Sequence, residues 1–289
     1  MIRAAVLTLL LIAWGLFLTV PATAGLFAQI EDYRTVVLWG IPAAALVLSL
    51  VFFPRLAPPA GESPRGPARR RLLLLAGCAV ALLADQSFLG FGYLTDWATF
   101  TSVAQEPGDR QLAVTALWAL PLCLILGIWG WERALRGSVY TGWRRRLPAV
   151  AALSLSVLTG LALALPPVLP VGEIRDLPFV TAALTAVLCR EVSLGLVFSR
   201  GGGLLVAGLY RGVLWFVEAF VINDWYSLYF PSYNYVAGSP LFYAARAASA
   251  LLGLAIIAVI VAVARPHEAL APDPSGRGME DQPDFSPGG

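Results

Sequence analysis

Eight apolar runs of 17 to 24 residues constrain this chain more than any other feature. They are Ala4–Val20, Val36–Phe53, Leu72–Phe91, Leu112–Trp131, Pro148–Leu169, Leu177–Phe198, Leu204–Ile222 and Leu241–Ala264. A helix rises about 1.5 Å per residue, so about 20 apolar residues cross the roughly 30 Å hydrocarbon core of a bilayer. No water is available there to satisfy backbone groups, which leaves the helix as the form a single segment can take. The expected fold class is all-α, a polytopic transmembrane helical bundle of about eight spans forming one domain over residues 1–265. Composition points the same way: 58% of residues are hydrophobic, 13% are charged and mean hydropathy is +0.74. Soluble domains run at about 45–50% apolar and about 25% charged.

Charge placement sets the expected orientation. Arg55, Arg65, Arg69, Arg70 and Arg71 fall in the second connection, and Arg133, Arg136, Arg144, Arg145 and Arg146 in the fourth, Glu132–Leu147. The odd-numbered connections carry at most one arginine each, namely Arg34, Arg110 and Arg175. Arginine concentrates on cytoplasmic loops, so both termini are expected inside, in a multi-pass protein of the cell (inner) membrane. Residues 54–71 form an Arg- and Pro-rich cytoplasmic loop whose guanidiniums can bind anionic headgroups, about 1 kcal/mol each. Residues 266–289, with five prolines and few apolar side chains, are expected to be a disordered cytoplasmic tail. Arg3, an apolar stretch and Ala22-Thr23-Ala24 resemble a secretory signal with its cleavage site. That stretch is longer than the usual signal core, which favours a retained first span.

All 20 basic residues are arginine. Without lysine the chain cannot form a retinal or pyridoxal Schiff base or a Walker A phosphate loop. The one histidine, His267, lies beyond the last span, which argues against bis-histidine haem and His-ligated zinc in the membrane. Cys78, Cys123 and Cys189 are scattered through apolar runs and read as small buried hydrophobes. No cofactor, metal or nucleic acid is expected.

Ionisable groups inside hydrocarbon cost about 2.5–3.5 kcal/mol each at mid-span, so each needs a partner or a wet cavity. Spans six and seven hold Arg190, Glu191, Arg211 and Glu218, joined by a turn at Gly201-Gly202-Gly203. Glu191 and Arg211 lie nearly equally far from that turn, which predicts an ion pair across the hairpin. A second group, Asp85, Glu218 and Arg246, is expected nearer the outer face. Together these six residues form either a polar pathway or a set of helix-locking pairs, with Glu191, Glu218 and Asp85 as the candidate acids or bases of any catalysis. The last outer loop carries Trp225, Tyr226, Tyr229, Phe230, Tyr233 and Tyr235. Phe88, Phe91, Tyr93, Trp97 and Phe100 are expected on the same side. Such rings form either an interfacial belt or the wall of an apolar pocket.

Arg190-Glu191-Val192-Ser193-Leu194-Gly195 resembles the EExxxRG motif of the CAAX-protease and bacteriocin-processing (CPBP) intramembrane proteases, and Gly238-Ser239-Pro240-Leu241 with Arg246-Ala247 is similar to their final motif region. The resemblance implies a membrane-embedded enzyme acting on lipid or peptide. Only Glu191 carries over, because Arg190 and Gly195 replace the first glutamate and the arginine, and the catalytic histidines are absent. The favoured expectation is a non-enzymatic multi-pass protein, permease-like or an accessory or anchoring subunit. Its partners would be the lipid bilayer and a further membrane protein.

Overall fold

A computed structural model describes residues 2–19, 33–55, 68–96, 98–101, 119–168, 177–217, 234–237 and 240–264. The helices are α1 (Ile2–Thr19), α2 (Tyr33–Phe52), α3 (Ala68–Asp85), α4 (Ser87–Leu94), α5 (residues 119–144), α6 (Ala149–Val168), α7 (Leu177–Val197), α8 (Gly203–Phe216) and α9 (Pro240–Val263). One departure from an all-α chain is a short antiparallel ladder. It joins β1 (Ala98–Thr101) to β2 (Asn234–Ala237), with Ala98 opposite Ala237 and Phe100 opposite Tyr235.

Among the described residues, three runs are long and apolar enough to cross a membrane: Ala68–Gly92, Val180–Phe216 and Pro240–Val263. Ile2–Leu18, Trp39–Phe52 and Ala149–Ala164 are shorter apolar helices. The 37-residue run is no single rod. It turns between α7 and α8, where Gly201 (φ 95°) and Gly203 (φ 64°) hold left-handed backbone that only glycine adopts freely. At its start, α9 has Pro240 in the first helical position, where the missing N–H leaves no bond unmade.

Among the described residues, two large apolar clusters hold most of the bundle. Leu7 and Leu11 of α1, Ile41 and Ala45 of α2, Leu135 and Val139 of α5, and Leu163 of α6 form the first. Leu74 and Cys78 of α3, Leu194 of α7, Val206 and Tyr210 of α8, and Ile257 of α9 form the second, with Tyr140 of α5. Helix α5 therefore lies between the clusters. Its approach to α8 is backbone on backbone: a Cβ at Gly127 would come within 2.7 Å of the Gly208 carbonyl oxygen, and one at Gly208 within 2.5 Å of Ile128 Cα. Small residues permit such contact, and in lipid close packing replaces the hydrophobic effect as the force between helices.

The outside of the bundle is apolar and part of its inside is charged. Leu83 is 74% exposed, Val150 76% and Val263 71%, whereas Glu132 and Arg136 are 0% exposed. A soluble monomer would not present so much contiguous apolar surface to water. The distribution is that of a membrane protein.

Helix α5 corrects one expectation. Glu132–Leu147 reads in sequence as a solvated connection, yet the helix continues through Arg144, and residues 132–142 are all buried. Between Gly127 and Tyr140 it is wound as a π-helix, a form that tends to occur at functional sites. The cause is charge compensation. Arg133 and Arg136 find partners inside the protein, so neither marks an exposed loop, while Arg144, Arg145 and Arg146 are exposed as expected.

Candidate functional site

Four charged side chains from three helices close into a ring. Arg211 of α8 places Nη2 2.6 Å from Glu191 Oε1 of α7 and Nε 2.6 Å from Glu132 Oε1 of α5. Arg136 of α5 completes the circuit, with Nη1 3.2 Å from Glu132 Oε1 and Nη2 2.7 Å from Glu191 Oε2. The same Nη2 donates to the Glu191 main-chain carbonyl at 2.7 Å. Two carboxylates and two guanidiniums alternate, so the ring is neutral as a whole. None of its side chains is more than 10% exposed.

Local sequence explains how each member arrives. Glu132 and Arg136 are four residues apart on α5 and share a face. Glu191 and Arg211 lie on opposite arms of the glycine turn, at matching depth, as hairpin geometry requires. Gly127, Gly208 and Gly212 let α5 and α8 approach closely enough for Arg211 to reach Glu132. Trp131, next to Glu132, lies under the Arg211 guanidinium at 4.9 Å, a cation–π contact that strengthens away from water. On the far side, α6 contributes an absence. A Cβ at Gly160 would sit 2.2 Å from Glu191 Oε2, so only glycine leaves room for that carboxylate.

The neighbouring residue on α7 serves a different cluster. Successive helical residues point about 100° apart, and Arg190 turns toward α3. There its Nε and Nη2 donate to Asp85 Oδ2 at 3.0 and 2.7 Å, and Gln86 donates to the same oxygen at 2.9 Å. The grouping of Asp85 with Glu218 and Arg246 turns on Glu218, which lies outside the described residues. Asp85 pairs with Arg190, because both are buried on helices that pack against α9. Arg246, 2% exposed, places its guanidinium 5.3 Å from the centre of the Phe88 ring. Phe88 is no member of a belt: it is 1% exposed and packs 5.4 Å from Phe242.

Glu218 and the aromatics Trp225, Tyr226, Tyr229, Phe230 and Tyr233 lie outside the described residues, as does the tail 266–289. Tyr235 is placed by its backbone, opposite Phe100 in the ladder. That ladder brings together the two connections expected to share a side.

Two ring members, Glu132 and Arg136, escape a sequence reading because they stand beyond the end of an apolar run. A usable signal is present. Glu132 and Arg136 are four residues apart, the spacing at which an acid and a base meet on one helical face. No family model, curated protein or solved structure matches this chain.

As a chemical device the ring is closed. Five hydrogen bonds engage its charged groups with one another and with the Glu191 carbonyl. Among the described residues, Glu132 Oε2 and Arg136 Nε are the fully buried ring atoms that lack a hydrogen-bond partner. Each charge holds the others in place, and removing one exposes its partner to an uncompensated low-dielectric site.

Proposed function

We propose that this chain is a non-enzymatic, multi-pass protein of the cell (inner) membrane that crosses about eight times, with both termini cytoplasmic. Its role is that of an accessory or anchoring subunit for another membrane protein. The observation that carries this reading is the closure of the Glu132–Arg136–Glu191–Arg211 ring. A permease would turn such charges toward a passage, where they exchange partners with substrate. Here they are spent on one another and hold α5, α7 and α8 in register. Support for the span count comes from the apolar runs and the alternation of arginine-rich connections.

The test is isolation from native membranes in mild detergent, followed by native mass spectrometry. A second membrane protein at fixed stoichiometry is expected. Repeated recovery of this chain alone overturns the accessory role.

A second reading, a membrane-embedded enzyme acting on lipid or peptide, is favoured by the burial of the Asp85 and Glu191 carboxylates. It would use Glu191, Asp85 or Glu218 as acid or base. Folded Asp85→Asn and Glu218→Gln variants with unchanged lipid or peptide turnover would eliminate those two groups.

A further inference from the structure

At one end of the bundle, three helix ends surround an open cavity of about 1020 Å³. Its rim carries Arg3 from α1, Arg55 just after α2, and Arg145 and Arg146 just after α5, with Phe52 and Phe53 in its wall. All four arginines are exposed, and no acidic residue lines the cavity among the described residues. The four guanidiniums are held around one volume by three separate segments, rather than strung along one loop.

A buried fifth arginine conditions the wall. Arg133, 5% exposed, donates through Nη2 to the main-chain carbonyls of Phe53 at 3.1 Å and Pro54 at 3.3 Å. Those carbonyls end α2 and carry the negative pole of its dipole. Their capture by a guanidinium removes the repulsion an anion would otherwise meet beside Arg55. Excess positive charge, planar forked donors and an apolar side wall are the features that recognise phosphate oxygens next to a hydrocarbon chain.

We infer that this cavity binds a phosphate-bearing anionic group, and that the apolar wall suits the headgroup region of an anionic lipid. The site rests on the membrane-spanning reading of the chain and is independent of any accessory role. Because it is read on the isolated chain, failure to recover a partner protein leaves it standing.

The test uses the purified full chain in mild detergent, titrated with dihexanoylphosphatidic acid, dihexanoylphosphatidylcholine or inorganic phosphate. Native mass spectra and thermal stability are the readouts. Phosphatidic acid is expected to saturate at one molecule per chain and to bind about tenfold tighter than the choline lipid. The R55Q/R145Q/R146Q variant is expected to lose that preference, and R69Q, outside the cavity, to keep it. Should the triple variant fail to fold, Arg55→Gln and Arg146→Gln are compared singly, each weakening phosphatidic acid binding several-fold. Equal binding of inorganic phosphate would uphold the site and assign it to a free phosphate compound. Phosphatidic acid binding no tighter than the choline lipid, or unchanged in the arginine variants, overturns the proposal.

Discussion

Arg136 holds Glu191 twice, by its side-chain carboxylate and by its main-chain carbonyl, both at 2.7 Å from one guanidinium nitrogen. The contact ties α5 to the backbone of α7 as well as to a rotatable side chain. Glu191 in turn receives Arg211, so three helices share one anion. Such a knot is rigid because each guanidinium is planar and directs its donors along fixed lines.

Removing one charge should therefore cost more than removing a balanced pair. Glu191→Gln or Arg211→Met alone leaves the ring with net charge, and each is expected to lower stability by about 3–5 kcal/mol. E191Q/R211M leaves Glu132 and Arg136 as a neutral pair and should recover most of that loss. E132Q/E191Q leaves two guanidiniums facing each other and should be the worst of the set. Unfolding in detergent, followed by intrinsic tryptophan fluorescence, ranks the four. If the double E191Q/R211M is as unstable as the sum of its singles, the ring is not a coupled unit.

Gly160 offers a test that changes no charge. Its missing Cβ is the space that Glu191 Oε2 occupies. Gly160→Ala should displace the carboxylate and cost about 1–3 kcal/mol by overpacking. In a Glu191→Ala background the methyl group meets no obstacle, so the same substitution should cost almost nothing further. A double-mutant cycle measures the difference. Equal costs in both backgrounds would mean that the carboxylate does not rest on Gly160.

The hairpin and its Glu191–Arg211 contact could be read in sequence because they follow from counting: a glycine turn, a fixed rise, two charges at one depth. The membrane-protein class was legible for a similar reason, since apolar run length is a direct measure of reach. What could not be read was the fate of Glu132, Arg133 and Arg136. Hydropathy sums charges as if each were solvated, and it has no way to know that Arg211, far along the chain on α8, neutralises Glu132. The Asp85–Arg190 pair was hidden likewise. Sequence depth groups Asp85 with Arg246, and rotation about α7, invisible without the packing, adds Arg190. Gly160 left no trace because an absent side chain acquires meaning only beside Glu191.

The Asp85–Arg190 contact should behave as a lock of its own. Asp85→Asn keeps the shape and one acceptor oxygen but removes the charge opposite a buried guanidinium. A loss of about 3 kcal/mol is expected. The double D85N/R190M, with neither charge present, should regain stability. Thermal unfolding decides this, and a double variant less stable than D85N contradicts a simple pair.

Accessibility along α5 separates a buried charged helix from a solvated loop. Cys78, Cys123 and Cys189 are at most 4% exposed, so they should stay silent toward a polar maleimide in the folded protein. Against that background, Ser138→Cys replaces a side chain that is 0% exposed with one of similar size, and it should also remain unlabelled. Arg145→Cys should label rapidly, because Arg145 is exposed beyond the helix end. A loop running from Glu132 would instead let both positions react. Adding Arg70→Cys extends the measurement to sidedness. In intact cells an impermeant maleimide should label neither the Arg70→Cys nor the Arg145→Cys variant, and in inverted vesicles it should label both. Opposite behaviour of the two would break the arginine alternation on which the proposed eight-span topology depends.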